Sequence, residues 1–321
     1  GSSAPPAARS SLPDFRNPQD LADGSWRPHP QRYPTTSLHY PNGETPERFI
    51  LLAPGDPNEY APIMDLESTI YTMAEHYFTA EQQFTLFGPI PTESGCLPHS
   101  QDASPSSDPK NTLLLQLHES LRCRDGPTFI AIVQRFNTIV LSLKANTPNG
   151  MLKAVKAWTH SLLPPELPWR ILAENYQRCI GPELARIKSR GAPQHASPEF
   201  TYGEVQPRLI SHIIFTAGLT TNSLYLDLGS GIGNTVMQAS LETGCRSYGI
   251  EQHPERSRVA TRAAASFVER CHLWGLKCGD IELDAGDMLK SRRVEELVPL
   301  ADVVFLANTS FTPQSKSLAG T

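Results

Sequence analysis

Residues 223–234 read Ser-Leu-Tyr-Leu-Asp-Leu-Gly-Ser-Gly-Ile-Gly-Asn, and no other stretch so narrows what this chain can fold into. A short apolar run carries an acidic residue, Asp227, near its end. Gly229, Gly231 and Gly233 follow at alternate positions, and a helical pattern begins at once. Strand, glycine turn and helix in that order form the turn on which open α/β sheets seat a nucleoside-bearing cofactor. Glycine suits the turn because it has no Cβ to clash with a ligand and tolerates unusual torsions.

The spacing also discriminates between cofactors. Dinucleotide folds use Gly-x-Gly-x-x-Gly, and here the third position is Asn234 or Val236, depending on where the count starts. A carboxylate at the strand end would repel a pyrophosphate and attract an ammonium, which favours S-adenosylmethionine over NAD. Glu251 closes the next strand, where an acidic side chain can accept both ribose hydroxyls. Asp287, in Gly286-Asp287-Met288-Leu289, stands where it could meet an adenine amino group, with Met288 packing on the base. Asn308, after a fourth strand, could orient an amine or a sulfonium methyl with its side-chain carbonyl.

Around the turn the periodicities predict an α/β fold with a parallel sheet. Strands are expected at 224–228, 247–251, 281–284 and 303–306, with helices at 207–217, 234–243, 254–274 and 292–297. In the helix over 207–217, Leu209, Ile210, Ile213, Ile214 and Ala217 share the apolar face, and Gly218 stops it.

Upstream, residues 1–34 form a Pro- and Ser-rich tail with too little apolar content to offset ordering entropy, and are expected to be disordered. Residues 35–188 are expected to be a mostly helical region, and 189–321 the cofactor-binding domain. Within the former, 49–53 reads as a short strand and 63–78 as a helix, and the Pro/Ser-rich segment 88–110 as a disordered loop. Asn111 is placed to cap a helix bearing Leu113, Leu114, Leu117 and Leu121, and Pro127 suits the first turn of a helix over 128–144. Helical patterns at 151–163 and 169–188 follow, the second with a kink expected near Gly181-Pro182. Residues 189–200 read as a loop.

The 321-residue chain carries a net charge of −5, so its overall charge does not mark a nucleic-acid-coating protein. A small basic cluster, Arg186, Lys188 and Arg190, is the local exception. Its six cysteines contain no Cys-x-x-Cys pair, which argues against zinc and for reduced thiols. No apolar run approaches the roughly 18 residues that would span a membrane. No metal-ligand spacing or nucleophile–base pair stands out, and methyl transfer from a sulfonium requires neither.

Tyr202-Gly203-Glu204, the helix after it, Asp227-Leu-Gly-Ser-Gly-Ile-Gly-Asn234, Gly244-Cys245, Gly249-Ile-Glu251 and Gly286-Asp287 closely resemble the non-SET histone H3 lysine-79 methyltransferases, the disruptor-of-telomeric-silencing family. Upstream, Tyr40-Pro41-Asn42, Glu47-Arg48-Phe49 and Glu59-Tyr60 resemble the N-terminal region of fungal members. The resemblance implies a class I, seven-strand-type methyltransferase fold that transfers methyl from S-adenosyl-L-methionine to lysine 79 of histone H3. It implies a nuclear chromatin regulator with roles in telomere silencing and the DNA damage response. The implied partners are the nucleosome, with histone H3, the histone H4 tail, ubiquitinated H2B and nucleosomal DNA, and the implied state is a monomer away from membranes.

By position, the resemblance assigns Tyr202, Gly203, Glu204 and Val205 to a loop over the cofactor. Tyr225, Leu226, Asp227, Leu228, Gly229, Ser230, Gly231, Ile232, Gly233 and Asn234 would wrap its methionine part. Glu251 would bind ribose, Asp287 and Met288 the adenine, and Tyr202 and Asn308 would serve catalysis. Asn308 matches the second Asn of the family's Asn-Asn-Phe motif, whose first Asn and Phe are here Ala307 and Thr309. The family has further strands after the fourth, and here the sheet is expected to stop at that strand, as in a fragment, a mis-spliced gene model or a degenerate paralogue. Two other readings stand beside the leading one: an RNA or small-molecule methyltransferase of the same fold, and a catalytically dead chromatin-binding paralogue.

Overall fold

Leu224–Leu228 forms a strand, β3, in which every residue is buried, as a central parallel strand covered on both faces requires. The structure is a computed structural model that describes residues 34–51, 61–87, 112–146, 151, 163–181, 183–184 and 205–307. The expected tail over 1–34 (except Pro34), the loops over 88–110 and 189–200, the helix over 151–163 (except its two end residues) and the basic cluster at Arg186, Lys188 and Arg190 lie outside the described residues. The chain divides into two compact units, residues 1–157 with 273–275, and residues 158–272 with 276–321.

In the first unit, β1 (Thr35–Leu38) pairs antiparallel with β2 (Glu47–Ile50), with Thr35 opposite Ile50 and Leu38 opposite Glu47. The strand expected at 49–53 thus starts two residues earlier, and its partner was not expected from the sequence. Helices α1 (Pro62–His76), α2 (Leu113–Arg122) and α3 (Gly126–Asn146) follow. Leu66, Ile70 and Met73 of α1, Leu114 and Leu117 of α2, and Phe129, Val133 and Phe136 of α3 are buried, at the three- and four-residue spacings of a helix face. Phe87 meets Phe78 edge-on with centroids 4.6 Å apart, and Phe136 at 5.7 Å. The N-cap of α2 is Thr112, not Asn111, and the Thr112 side chain makes no cap hydrogen bond.

The second unit holds a four-stranded parallel sheet in the order β5-β4-β3-β6, where β4 is Arg246–Glu251, β5 is Ile281–Ala285 and β6 is Val303–Phe305. The period-two alternation of β3 sends its residues to different cores. Tyr225 packs with Ile210, Ile214, Leu219, Val236 and Ala239 on one face. Leu224, Leu226 and Leu228 pack with Tyr248, Ile250, Val294 and Leu297 on the other. The first face is covered by α5 (Pro207–Ala217) and α6 (Asn234–Thr243), the second by α8 (Arg292–Leu297). Between β4 and β5 runs α7 (Pro254–Leu273), with Val259, Ala263, Phe267 and Cys271 buried as the sequence indicated.

Helix α5 ends at Gly218 with φ 64°, the left-handed stop expected there. Its buried stripe is narrower than the sequence implied. Ile210 and Ile214 are buried and Ile213 partly so, while Leu209 and Ala217, at the two ends of the face, remain exposed. The apolar pattern extends beyond the surface that covers it.

Helix α4 (Glu166–Asn175) packs within the sheet-bearing unit. Its Glu174 is fully buried and accepts from Arg270 Nη1 at 3.0 Å, and Asn175 Nδ2 donates to the Ala263 carbonyl at 3.1 Å. Such a buried pair holds its elements in one arrangement, since either partner alone would be an uncompensated charge. Pro182, where a kink is expected, lies outside the described residues; just before it a π-helical turn runs over Tyr176–Ile180, closed by Gly181 N–H onto the Tyr176 carbonyl.

Gly279 leads into β5 and donates its N–H to the Ser240 carbonyl at 2.9 Å. A Cβ on Gly279 would overlap the carbonyl oxygens of Cys245 and Gly244, which are backbone atoms with no freedom to move aside. Gly279→Ala is expected to destabilise the fold by about 3 kcal/mol, by overpacking against fixed backbone. A fall in the urea midpoint at unchanged m-value would check this.

Candidate cofactor site

The glycine turn is made by hydrogen bonds to β4. The N–H groups of Gly229 and Ser230 both donate to the Ile250 carbonyl at 2.9 Å, and Gly233 N–H closes onto the Ser230 carbonyl at 2.8 Å. Gly229, Gly231 and Gly233 have φ of 94°, 58° and 79°, the left-handed region that side chains with a Cβ enter only at a cost. Helix α6 starts directly from Gly233, so the positive end of its dipole faces the turn.

A fourth glycine, Gly249, is needed on the neighbouring strand. A Cβ there would lie 2.8 Å from Ser230 Cβ and Oγ and 2.9 Å from Leu283 Cδ2. The turn can lie flat on β4 only because position 249 has no side chain. A glycine inside a strand is the signal for such a close approach, and Tyr-Gly-Ile-Glu carries it.

Asp227 is buried, and Thr235 Oγ1 donates to its Oδ2. Its Oδ1 is buried with no hydrogen-bond partner among the described residues. A buried carboxylate oxygen left unpaired is costly and marks a place for a further donor. Burial, with Glu251 nearby, raises the Asp227 carboxyl to about 7, although the Thr235 hydroxyl pulls it the other way. Burial and the charge of Asp227 also push the Tyr225 phenol above its ordinary value. Thr235, the second residue of α6, was not singled out from the sequence, where it reads as an ordinary helix residue.

Glu251 stands where the sequence placed it, at the end of β4, but it already has work in the fold. Its Oε2 accepts from Gly231 N–H at 2.9 Å and its Oε1 from His253 N–H at 2.8 Å. Each oxygen has a second lone pair, so the side chain can hold the turn and still accept from a ligand hydroxyl. Asp287 likewise braces its own turn: Oδ1 accepts from Leu289 N–H at 3.0 Å and Oδ2 pairs with Lys290 at 3.1 Å. The Leu289 N–H and then Lys290 hold its carboxyl below the ordinary value. Met288 packs on the core beside Leu224, Leu226 and Leu228.

The structure therefore brings together Asp227, the turn from Gly229 to Asn234, and Glu251 at the C-terminal ends of β3 and β4, the crevice where open α/β sheets bind ligands, whereas Tyr225, the second residue of β3, is buried in the core with Ile210 and Val236. Leu226 and Leu228 give their side chains to the core, leaving backbone for a ligand. Val205 packs against the cluster of Ile210, Tyr225 and Val236. Tyr202, Gly203, Glu204 and Asn308 lie outside the described residues. Among the described residues no group of His, Cys, Asp or Glu could hold a metal ion, and no helix is long and apolar enough to cross a membrane.

The pKa of Asp227 has a consequence for stability. The unfolded carboxyl titrates near 3.8 and the folded one near 7, so the fold retains a proton that the unfolded chain releases. Stability thus falls as pH rises through that window, and the full cost stands above pH 7. Asp227→Asn is expected to raise the melting temperature at pH 8, with the gain shrinking toward pH 5. Thermal unfolding of the ligand-free protein at the two pH values reads this directly.

Residues 176–318 match the family model described as "Histone methylation protein DOT1". Similar proteins named histone-lysine N-methyltransferase, H3 lysine-79 specific, occur in Emericella nidulans, at 30% identity over 86% of this chain and 50% of that protein, and in Aspergillus fumigatus, at 31% over 86% and 50%. A third, from Mycosarcoma maydis, is 34% identical over 72% of this chain and 29% of its own length. The chain thus spans half the length, or less, of these curated relatives. Among solved structures, an RNA methyltransferase from Salinibacter ruber in complex with S-adenosyl-L-homocysteine covers 32% of this chain and 60% of its own, with 24% identity and a TM-score of 0.26. By the family match and by these relatives, residues 176–318 of this chain belong to the DOT1 histone methylation family.

Proposed function

We propose that the chain binds S-adenosyl-L-methionine at the glycine turn and serves as a histone-lysine N-methyltransferase acting on lysine 79 of histone H3 in nucleosomes. The observation that carries the cofactor is the unpartnered Oδ1 of Asp227, a buried carboxylate oxygen beside three left-handed glycines. An amino-acid ammonium would supply the missing donor and the positive charge together. The acceptor is supported by the family match and by the names of the relatives, which favour histone over RNA.

When bound, the cofactor supplies a methyl group already activated on a sulfonium, so the protein needs to bind, align and exclude water rather than to provide a nucleophile. Asp227 would take the ammonium and the backbone of Gly229–Gly233 would lie along the methionine part. Glu251 would accept ribose hydroxyls, with Asp287 and Met288 at the adenine. Tyr202 and Val205 would cover the cofactor, and Asn308 would orient the lysine amine. A nuclear location, a monomeric state, and contacts with nucleosomal DNA, the histone H4 tail and ubiquitinated H2B belong to the same proposal and rest on family resemblance.

Two measurements test it. Isothermal titration of the folded protein with S-adenosylmethionine should give saturable binding that weakens below pH 7 as Asp227 takes a proton. Gly231→Arg should abolish the binding while circular dichroism shows a folded chain, because an arginine at φ 58° fills the turn. No binding by the folded, unsubstituted protein would sink the cofactor assignment. With labelled cofactor, transfer to nucleosomes is expected, and none to nucleosomes whose H3 lysine 79 is replaced by arginine. Transfer to naked RNA instead would overturn the acceptor, and nucleosome binding without transfer would overturn turnover.

A further inference from the structure

Gln238 lies in the second turn of α6, almost wholly buried. Its Nε2 is 2.7 Å from the Pro207 carbonyl oxygen, 2.7 Å from Glu242 Oε1 and 3.0 Å from Ser211 Oγ. Ser211 Oγ donates to Glu242 Oε1 at 2.7 Å and accepts from Trp169 Nε1 at 3.1 Å. One polar cluster thus joins α4, α5 and α6. Burial raises the Glu242 carboxyl above its ordinary value, against the pull of its Ser211 and Gln238 bonds. A contact needed only for cohesion between helices would be served at least as well by apolar side chains, since buried polar groups carry a desolvation cost.

The placement of these groups shows what the cost secures. An amide nitrogen has two protons, and Pro207 and Glu242 are its two nearest acceptors. Glu242 is on Gln238's own helix, so of these two bonds the one to Pro207 reaches across to α5, and it does so at the helix's first residue, four residues before Ser211. Pro207 is the first residue of α5, two residues after Val205, which packs beside Tyr225 and Val236. On the other side, α6 grows directly out of Gly233, the last glycine of the turn, about 7 Å along the axis from Gln238.

We propose that Gln238 is a positioning residue for the cofactor. By donating to the Pro207 carbonyl it holds the first turn of α5, and Val205 with it, in register with the glycine turn. The inference rests on the reading of this turn as an S-adenosylmethionine site. Misplacement of binding groups by about 1 Å can cost up to about a hundredfold, and a partial loss of roughly tenfold in affinity is expected when the bond is lost.

The test is isothermal titration with S-adenosylmethionine on folded variants of the full chain, beside their melting temperatures. Gln238→Met removes both donors. Gln238→Asn is milder, keeping an amide beside Glu242 but too short to reach Pro207. Both should weaken binding about tenfold. Gln238→Lys, whose ammonium can donate to Pro207 and pair with Glu242, should restore affinity to within about threefold. Trp169→Phe, which cuts the same cluster away from Pro207, should lower stability without changing affinity. Full affinity in folded Gln238→Asn, or a loss in Trp169→Phe equal to that in Gln238→Met, would overturn the inference while leaving the cofactor reading intact. No binding by the unsubstituted chain would overturn both.

Discussion

The double hydrogen bond from Gly229 and Ser230 to the Ile250 carbonyl, joined by that from Gly231 to Glu251, is the contact on which the rest of the sheet-bearing unit depends. It ties the end of β3 to the end of β4 and sets where α6 begins. It requires a bare backbone at Gly249 and left-handed torsions at three glycines. Each requirement would cost stability elsewhere in a chain, and here they converge on one turn. Strain gathered in this way is characteristic of sites that must bring backbone close to a ligand.

The same turn holds a carboxylate that the described residues satisfy only in part. Asp227 is buried deeply enough to raise its carboxyl to about 7, and one of its oxygens has no partner among the described residues. An apolar residue at the end of β3 would give a more stable sheet. Retaining a charge there makes sense if the missing donor arrives with a ligand, so that binding recovers what folding gave up. Glu251 shows the complementary arrangement, with both oxygens engaged by backbone N–H groups and ready to hold the turn before any ligand is present.

Much of this was legible in the chain itself. The helices over Pro207–Ala217, Asn234–Thr243 and Arg292–Leu297 begin and end where periodicity, Pro and Gly place them, because local start and stop signals agree with the buried face. The strands of the sheet agree to within a residue. The pairing of Thr35–Leu38 with Glu47–Ile50 was not legible, since the first strand has no signal apart from its partner. The true width of the α5 stripe was hidden too, because Leu209 and Ala217 look like core until the extent of the covering surface is known. In the site, Asp227, Glu251 and the glycines could be read from spacing. Thr235 could not, because nothing local distinguishes a helix threonine that bonds a carboxylate from one that faces solvent.

By itself, the sequence determined that a strand, three glycines and a helix form a tight turn, and that an acidic residue sits at or near the end of each of two successive strands. These follow from torsional preference and alternation, which act over a few residues. Only the tertiary structure decided that Glu251 reaches back to Gly231, that Gly249 must be bare beneath Ser230, and that Asp227 keeps one oxygen unpaired among the described residues. Those are relations between β3, β4 and α6, and they exist only once the parallel register brings Asp227 opposite Gly249. Burial and hydrogen-bond satisfaction are properties of packed neighbours, so no reading of one stretch could have supplied them.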